Sequence, residues 1–438
     1  SSDLQAITKV RQWKPDAVAY CAYTGFHKPL VEFNRRLKQA APDIISIFGG
    51  PHPTFFPELV ENEGVDIVCR GEGENAIADL LNRIESGNDY TRTENFWVKS
   101  NGTIHKNPVR PLETDLESLA FPARDVFYKF DVARNNKVRC LITARGCPYA
   151  CTYCYNYKFK ELYGVSGGGH LRHRDPDHII EEVLQIKANY PLEFFYIGTD
   201  CFTASKEWVL DFADKYSRKA KVPFACSTRP ETTNPEVCKA LKAAGCVTMA
   251  MGLETGNQNM RRELLNRRMT NEKIVQAAKT IHDAGIRLYT FNMIGLPGET
   301  VDMAFETVKL NQRCKTDYPV MTIFMPYPRT HLTEYAIEAG FFDGDFDRMQ
   351  MYWHRTSSVQ NPQRKELERL HKLVPFAVEF PFLAPVIRLA IKLPFAGFYH
   401  FLSKLWKAYC YRYRVMPVKL SFREIVSLSF RYLFGKSE

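Results

Sequence analysis

Along the first hundred residues, short apolar runs alternate with stretches whose apolar positions recur every three or four residues. The runs are residues 16–24 (DAVAYCAYT), 44–48 and 65–69; the helical spacing falls on 30–40 and 74–84. Short, near-continuous apolar runs suit strands buried on both faces, and their alternation with helices predicts an open parallel α/β sheet. In such sheets ligands bind at the loops that leave the strand C-termini. Here those loops are Tyr23-Thr24-Gly25, Gly49-Gly50-Pro51-His52 and Gly71-Glu72-Gly73-Glu74. Residues 85–114 are polar, with turn residues and short alternating segments, and read as a connector.

The pattern resumes with apolar runs at 138–144, 194–200, 224–228, 247–253, 287–294 and 320–325. Helical patterns at 178–188, 208–220, 235–244, 271–284 and 303–314 lie between them. This predicts a partial (β/α)6 barrel, shorter than the roughly 250 residues of a full eight-fold barrel. A second open, doubly wound sheet is the alternative, which periodicity does not separate. After about Gly340 the texture changes to Phe, Leu and Pro with interspersed Lys and Arg, predicting a helical C-terminal region. No charge-free window there is long enough for a membrane span. The expected class is therefore α/β, divided at residues 1–112, 113–340 and 341–438.

Length and composition fit this division. A chain of 438 residues exceeds the size at which single cores stop growing, and 45% hydrophobic with 25% charged residues is ordinary for a folded protein. Of the net charge of +10, most resides in residues 385–438, which hold ten basic and two acidic side chains. The twelve cysteines are scattered except for one tight group, and SSDLQAITKV lacks a signal peptide's regions. A reducing, cytoplasmic setting is expected, with most cysteines acting as small buried apolar groups. No Met opens the chain, so upstream residues are expected to be missing.

The one tight group is Arg145-Gly-Cys147-Pro-Tyr-Ala-Cys151-Thr-Tyr-Cys154. Three thiolates at spacings of four and three can wrap one compact metal centre from a single loop. A four-iron four-sulfur (4Fe-4S) cluster usually takes four thiolates, so three leave one iron open to a ligand. Zinc is the competing reading, but it needs a fourth Cys or His at short spacing, and Cys140, His170 and His173 are poorly placed along the chain.

This motif is similar to the CxxxCxxC signature of the radical S-adenosylmethionine (SAM) superfamily, down to the aromatic Tyr153 before the third cysteine. The likeness continues through Phe195-Tyr-Ile-Gly-Thr-Asp200, Met251-Gly-Leu-Glu254-Thr-Gly256 and Asn292-Met-Ile-Gly-Leu-Pro-Gly-Glu299-Thr300. In that family the open iron chelates SAM, and reduction yields methionine and a 5′-deoxyadenosyl radical. The resemblance implies cluster ligation by Cys147, Cys151 and Cys154, and SAM contacts from Tyr153, Asp200, Arg229 and Glu254. Two departures stand out. Arg329 occupies a position where relatives often have Gly, and residues 166–170 (SGGGH) form a Gly-rich insertion.

Upstream, Phe48-Gly-Gly-Pro-His52-Pro-Thr54 and Cys69-Arg-Gly71-Glu-Gly73-Glu74 resemble the cobalamin-binding domain fused to many radical SAM enzymes. The resemblance implies contacts from Thr24, Gly25, Gly49, Gly50, His52, Gly71, Glu72 and Gly73. The Asp-x-His-x-x-Gly motif that supplies a cobalt ligand elsewhere is absent, and its strand would precede Ser1. The sheet is thus expected to be an incomplete cobalamin-binding-like domain, with His27 as the alternative ligand.

Three function classes follow. The first is a cobalamin-dependent methyltransferase or cyclase acting on an unactivated carbon of a small-molecule, lipid-like or tetrapyrrole-like substrate. The second is a radical SAM enzyme whose N-terminal sheet is only a scaffold; the third is a non-enzymatic iron–sulfur electron carrier or sensor. The expected partners are the substrate and an electron donor such as flavodoxin or ferredoxin. No nucleic-acid module accompanies the basic tail, so nucleic acid is not an expected partner. The tail either caps the barrel or makes peripheral contact with a membrane.

Overall fold

The computed structural model describes residues 2–165, 169–346, 356–415 and 418. Residues 166–168 of the Gly-rich insertion and, in the basic tail, 416, 417 and 419–438 lie outside the described residues.

A helix α1 (Ser2–Trp13) precedes the first sheet, whose order is β1 (Ala17–Cys21), β2 (Ile45–Gly49), β3 (Ile67–Cys69), β4 (Phe96–Ser100) and β5 (Thr103–Lys106). β1, β2 and β3 are parallel, as their apolar runs predict. The helices α2 (His27–Ala40), α3 (Pro51–Phe55) and α4 (Glu74–Glu85) follow the three strands in turn. The supposed connector is a correction: its alternating segments form the hairpin β4–β5, which pairs antiparallel with β3. The alternation is real strand pattern, since Phe96 and Val98 point into the core while the neighbouring positions are partly open.

Short helices α5 (Arg124–Phe127) and α6 (Asp131–Arg134) lead into the second sheet, which starts at β6 (Val138–Leu141). The two-residue strands β7 (Ala144–Arg145) and β8 (Arg172–His173) pair antiparallel and flank α7 (Tyr155–Tyr163). Then come α8 (Pro176–Asn189), β9 (Phe194–Ile197), α9 (Lys206–Lys219), β10 (Phe224–Thr228), α10 (Pro235–Ala243), β11 (Cys246–Glu254), α11 (Asn271–Asp283), β12 (Arg287–Ile294), α12 (Val301–Arg313), β13 (Tyr318–Ile323) and α13 (His331–Glu338). The sheet order is β13-β12-β11-β10-β9-β6, with every neighbouring pair parallel. Chain order without reversal decides between the two expected architectures. A doubly wound sheet reverses at a switch point, whereas this sheet winds one way as a partial barrel.

Helices α14 (Arg364–Glu379), α15 (Ala384–Ala390) and α16 (Ala396–Cys410) complete the described fold. Leu367, Leu370 and Val374 of α14 join Val308 of α12 and Ile323 of β13 in one core cluster. Trp406 stacks on Tyr318, with centroids 5.1 Å apart, at the start of β13. Thr248, near the start of β11, donates to the Val415 carbonyl at 3.2 Å. The C-terminal region therefore covers the β13 edge and the N-terminal ends of the strands, the end opposite the ligand loops.

Candidate active site

The loop after β7 begins with Gly146 at φ 84, where a Cβ would collide with the His170 backbone. Only glycine fits that close approach. His170 is fully buried and its Nε2 accepts the Cys147 N–H at 3.0 Å, so the ring's proton sits on Nδ1. Burial holds this imidazole down to about 4, which keeps it a neutral acceptor. Far from Cys147 in sequence, His170 is thus its immediate support.

Lys160 performs a related task from α7. Its ammonium is buried and donates to the carbonyls of Pro148 at 2.9 Å and Tyr149 at 3.1 Å, inside the cysteine loop. Burial lowers its pKa, against the opposing pull of Cys147, Cys151 and Cys154.

Two arginines converge on the middle cysteine. Arg229, just beyond β10, places Nη1 3.3 Å from Cys151 Sγ, Nη2 2.8 Å from Glu231, and its guanidinium 3.6 Å above the Tyr149 ring. Arg267 places Nη1 3.9 Å from the same sulfur and 3.5 Å from the Tyr153 hydroxyl, and donates to the Gly252 carbonyl at 2.5 Å. Glu254 ends β11 at φ 70, 3.7 Å from Arg267. Burial raises its carboxyl pKa against the pull of Arg267, a Tyr153 hydrogen bond and Arg229. A left-handed non-glycine residue at a strand end is strained, and such strain gathers at ligand sites. Asp200 lies beyond β9; burial raises its pKa too, and Asn156, which it bonds, reaches Cys154 Sγ at 3.6 Å.

The donor set fits an anionic ligand beside the cysteines. Both Arg229 Nε and Arg267 Nε are buried without an acceptor among the described residues. Two guanidinium donors held against one sulfur make an electropositive pocket, which favours thiolate and can take a carboxylate. Burial raises Cys147 and takes Cys154 up to about 11, so binding iron must displace their protons. No three His, Cys, Asp or Glu side chains crowd together as a single-ion cage among the described residues. A cubane cluster needs no such cage, because each thiolate binds a different iron.

The ligand edge of the first sheet faces this loop. Thr24 Oγ1 lies 3.0 Å from His52 Nδ1, and the His27 and His52 rings stack at 3.8 Å. Thr54 Oγ1 accepts the Gly71 N–H at 3.1 Å, linking the second loop to the third. Burial, then His27 and Arg329, takes His52 down to about 3, so it stays neutral. Open space lies beyond Gly25, flanked by the exposed rings of Tyr23 and Phe26. An open glycine beside exposed aromatic rings fits a broad flat cofactor. Gly49 ends β2 and Gly50 caps α3, both on this edge.

Two expected cofactor contacts have other partners here. Glu72 is paired with Arg172 at 2.7 Å and Arg145 at 3.1 Å, clamping the first sheet to the cysteine loop. Its carboxylate faces these arginines, and they hold it below the usual carboxylate range despite burial. Beside Gly71 stands the Tyr163 hydroxyl, which accepts the Glu72 N–H at 2.8 Å. Gly73 caps α4. Arg329 adopts φ 61, the backbone that favours Gly at this position, and reaches Glu58 at 3.3 Å.

Helix α7 joins the two edges. It starts directly after Cys154, and Tyr155 stacks on Phe55 of α3 at 4.7 Å. Lys160 enters the cysteine loop and Tyr163 enters the Gly71 loop. Arg267, His170, Lys160 and Tyr163 were all missed by sequence reasoning. Only Lys160 left a signal, as one of two lysines, with Lys158, on a helix rich in Tyr and Phe. Behind the cysteine loop, a cleft of about 460 Å³ is lined by Thr152, Met260, Leu264, Pro297 and Leu332, and holds none of the expected cofactor contacts.

Residues 141–310 match the radical SAM superfamily, and residues 2–81 match the B12 binding domain. The chain carries a radical SAM domain and, ahead of it, a B12-binding domain. An uncharacterized methyltransferase of Pyrococcus horikoshii is 27% identical over 365 residues, covering 82% of this chain and 75% of that protein. The anaerobic magnesium-protoporphyrin IX monomethyl ester cyclase of Rubrivivax gelatinosus is 24% identical over 76% of this chain and 60% of its own length. Among solved structures, the radical SAM methyltransferase TsrM of Kitasatospora setae, with cobalamin and an iron–sulfur cluster bound, superposes with a TM-score of 0.61. It is 16% identical and covers 76% of this chain and 69% of its own. The cobalamin-dependent radical enzyme OxsB gives 0.61 at 18% identity, over 78% of this chain and 49% of its own. The radical SAM chain thus spans about half to three quarters of these relatives. These likenesses establish the shared fold, and the domain pair implies a 4Fe-4S cluster, SAM and cobalamin as cofactors.

Proposed function

We propose that this radical SAM protein is a cobalamin-dependent methyltransferase or cyclase acting on an unactivated carbon. One observation carries the reading. The same helix, α7, leaves Cys154, stacks Tyr155 on Phe55 of α3 and inserts Tyr163 at Gly71, so the cysteine loop and the B12-binding edge face each other. That arrangement lets one substrate meet both cofactors. Named methyltransferases and a cyclase among the relatives support the same class.

When bound, the cluster supplies the electron that cleaves SAM, and cobalamin supplies a methyl carrier or a redox partner. Cys147, Cys151 and Cys154 would hold the cluster, shaped by His170 and Lys160. Arg229 and Arg267 would receive the SAM carboxylate through their unpaired Nε donors. Glu254, Tyr153 and Asp200 would orient the rest of SAM. Thr24, Gly25, Gly49, Gly50 and His52 would help hold cobalamin. The protein's other contribution is exclusion of water, since Cys151, Arg229, Glu254 and Arg267 are all buried. The substrate is a small or lipid-like molecule, and a flavodoxin or ferredoxin supplies electrons.

The test is anaerobic reconstitution with iron, sulfide, cobalamin and SAM, followed by measurement of 5′-deoxyadenosine and bound cobalamin. The reading expects SAM cleavage that disappears in Cys151→Ala, and near-stoichiometric cobalamin. Intact SAM in the wild type would leave an iron–sulfur carrier or sensor; cleavage without cobalamin would leave the sheet as a scaffold.

A further inference from the structure

Helix α16 is apolar on two faces. Tyr399, Trp406 and Cys410 are buried against the domain. Phe398, Phe401, Leu405 and Tyr409 are exposed. The latter positions are three, four and four residues apart, which puts them in one outward stripe. The preceding turn and α15 add exposed Phe382 and Leu389, at 74% and 67%. Scattered exposed apolar side chains are ordinary, but a continuous aromatic stripe marks a contact surface.

Charge selects the partner. Between Phe380 and Arg423 the sequence has no Asp or Glu, while Arg388, Lys392, Lys404 and Lys407 are interspersed with the apolar positions. Arg388 is tied to Asp302 and lies 4.4 Å over the Phe305 ring. Lys392 is exposed in the turn between α15 and α16. A second copy of this chain would bring cations against cations. Residues 419–438, with four basic and two acidic side chains, complement the face no better. No described helix is long and apolar enough to cross a membrane. An aromatic stripe edged by cations suits a helix lying in the headgroup region.

We propose that α15 and α16 dock this protein flat on an anionic lipid surface. The buried face of α16 packs at Tyr318, at the start of β13, whereas the cysteine loop lies at the opposite ends of the strands. Docking therefore anchors the protein without covering the cofactor site.

The experiment is sedimentation of the reconstituted full chain with vesicles of phosphatidylcholine alone, and with equal parts phosphatidylcholine and phosphatidylglycerol. Binding to the mixed vesicles, weakened by salt and by loss of phosphatidylglycerol, is the expected result. Phe398→Glu with Phe401→Glu should reduce partitioning by roughly tenfold or more. Phe382→Ser with Leu389→Ser is the second, independent variant, and each must keep the wild-type melting curve and circular dichroism. Three results would overturn the proposal. The wild type could stay in the supernatant with mixed vesicles; both folded variants could bind as the wild type does; or the wild type could be a dimer that the variants split.

Discussion

The Lys160 ammonium donates to the Pro148 carbonyl at 2.9 Å, from a helix that starts only after the last cysteine of the same loop. One buried cation thereby ties down the loop between Cys147 and Cys151. Neutral substitution removes two hydrogen bonds and leaves two carbonyls facing an apolar chain.

Lys160→Met is therefore expected to lose its cluster at about tenfold lower chelator concentration than the wild type, as for other residues that support metal ligands. The apo protein should lose about 1–3 kcal/mol of stability. Lys160→Arg restores the charge and both donors, and should recover most of the iron. Iron and sulfide per chain, measured anaerobically against chelator, check this. Equal retention in Lys160→Met would remove Lys160 from the site.

Gly71 and Tyr163 should be energetically coupled. Gly71→Ala puts a Cβ at φ 75 against the Tyr163 hydroxyl and ring, which would have to shift off the Glu72 amide. A loss of more than about 1 kcal/mol is expected. Tyr163→Ala alone frees the Glu72 amide and opens a void, but in the double variant the collision is gone. A double-mutant cycle by thermal unfolding should show the pair less damaging than the sum of the singles. Strict additivity would mean that the two loops do not press on each other.

Glu299 predicts a pH dependence. Its Oε2 accepts the N–H groups of Gly295 at 2.5 Å and Leu296 at 3.1 Å, and burial pushes the carboxyl up to about 8. A carboxyl with a raised folded pKa stabilises fully below its unfolded value, near 4.5, and loses that contribution as pH climbs through about 8. Wild-type stability should therefore fall between those limits by an amount on the order of a few kcal/mol. Glu299→Gln keeps an accepting oxygen for the two amides and cannot ionise. Its denaturation midpoints should be flatter across that window; identical slopes would assign the pH dependence to other groups.

Much of the site was legible because its chemistry is local. Cys147, Cys151 and Cys154 share one loop, so their spacing alone specifies a compact centre. Glu254 and Arg229 follow apolar runs, and a residue just past a strand in a parallel sheet lands at the ligand edge wherever the strand sits. Strand positions were likewise readable from buried runs. The hairpin β4–β5 was harder, because one half-open face makes its alternation resemble a polar connector.

What supports those residues comes from elsewhere in the chain. His170 beneath Cys147, Arg267 against Cys151 and Arg172 on Glu72 are long-range contacts, and nothing in their local spacing distinguishes them from surface charges. The choice of a one-way partial barrel over a doubly wound sheet also rested on strand order, to which periodicity is blind. Sequence by itself located most of the elements and the three-cysteine loop, since hydrophobic period and residue spacing act within a few residues. Tertiary structure alone decided which buried charges meet, because removing a charge from water is tolerable only where the fold brings it a partner.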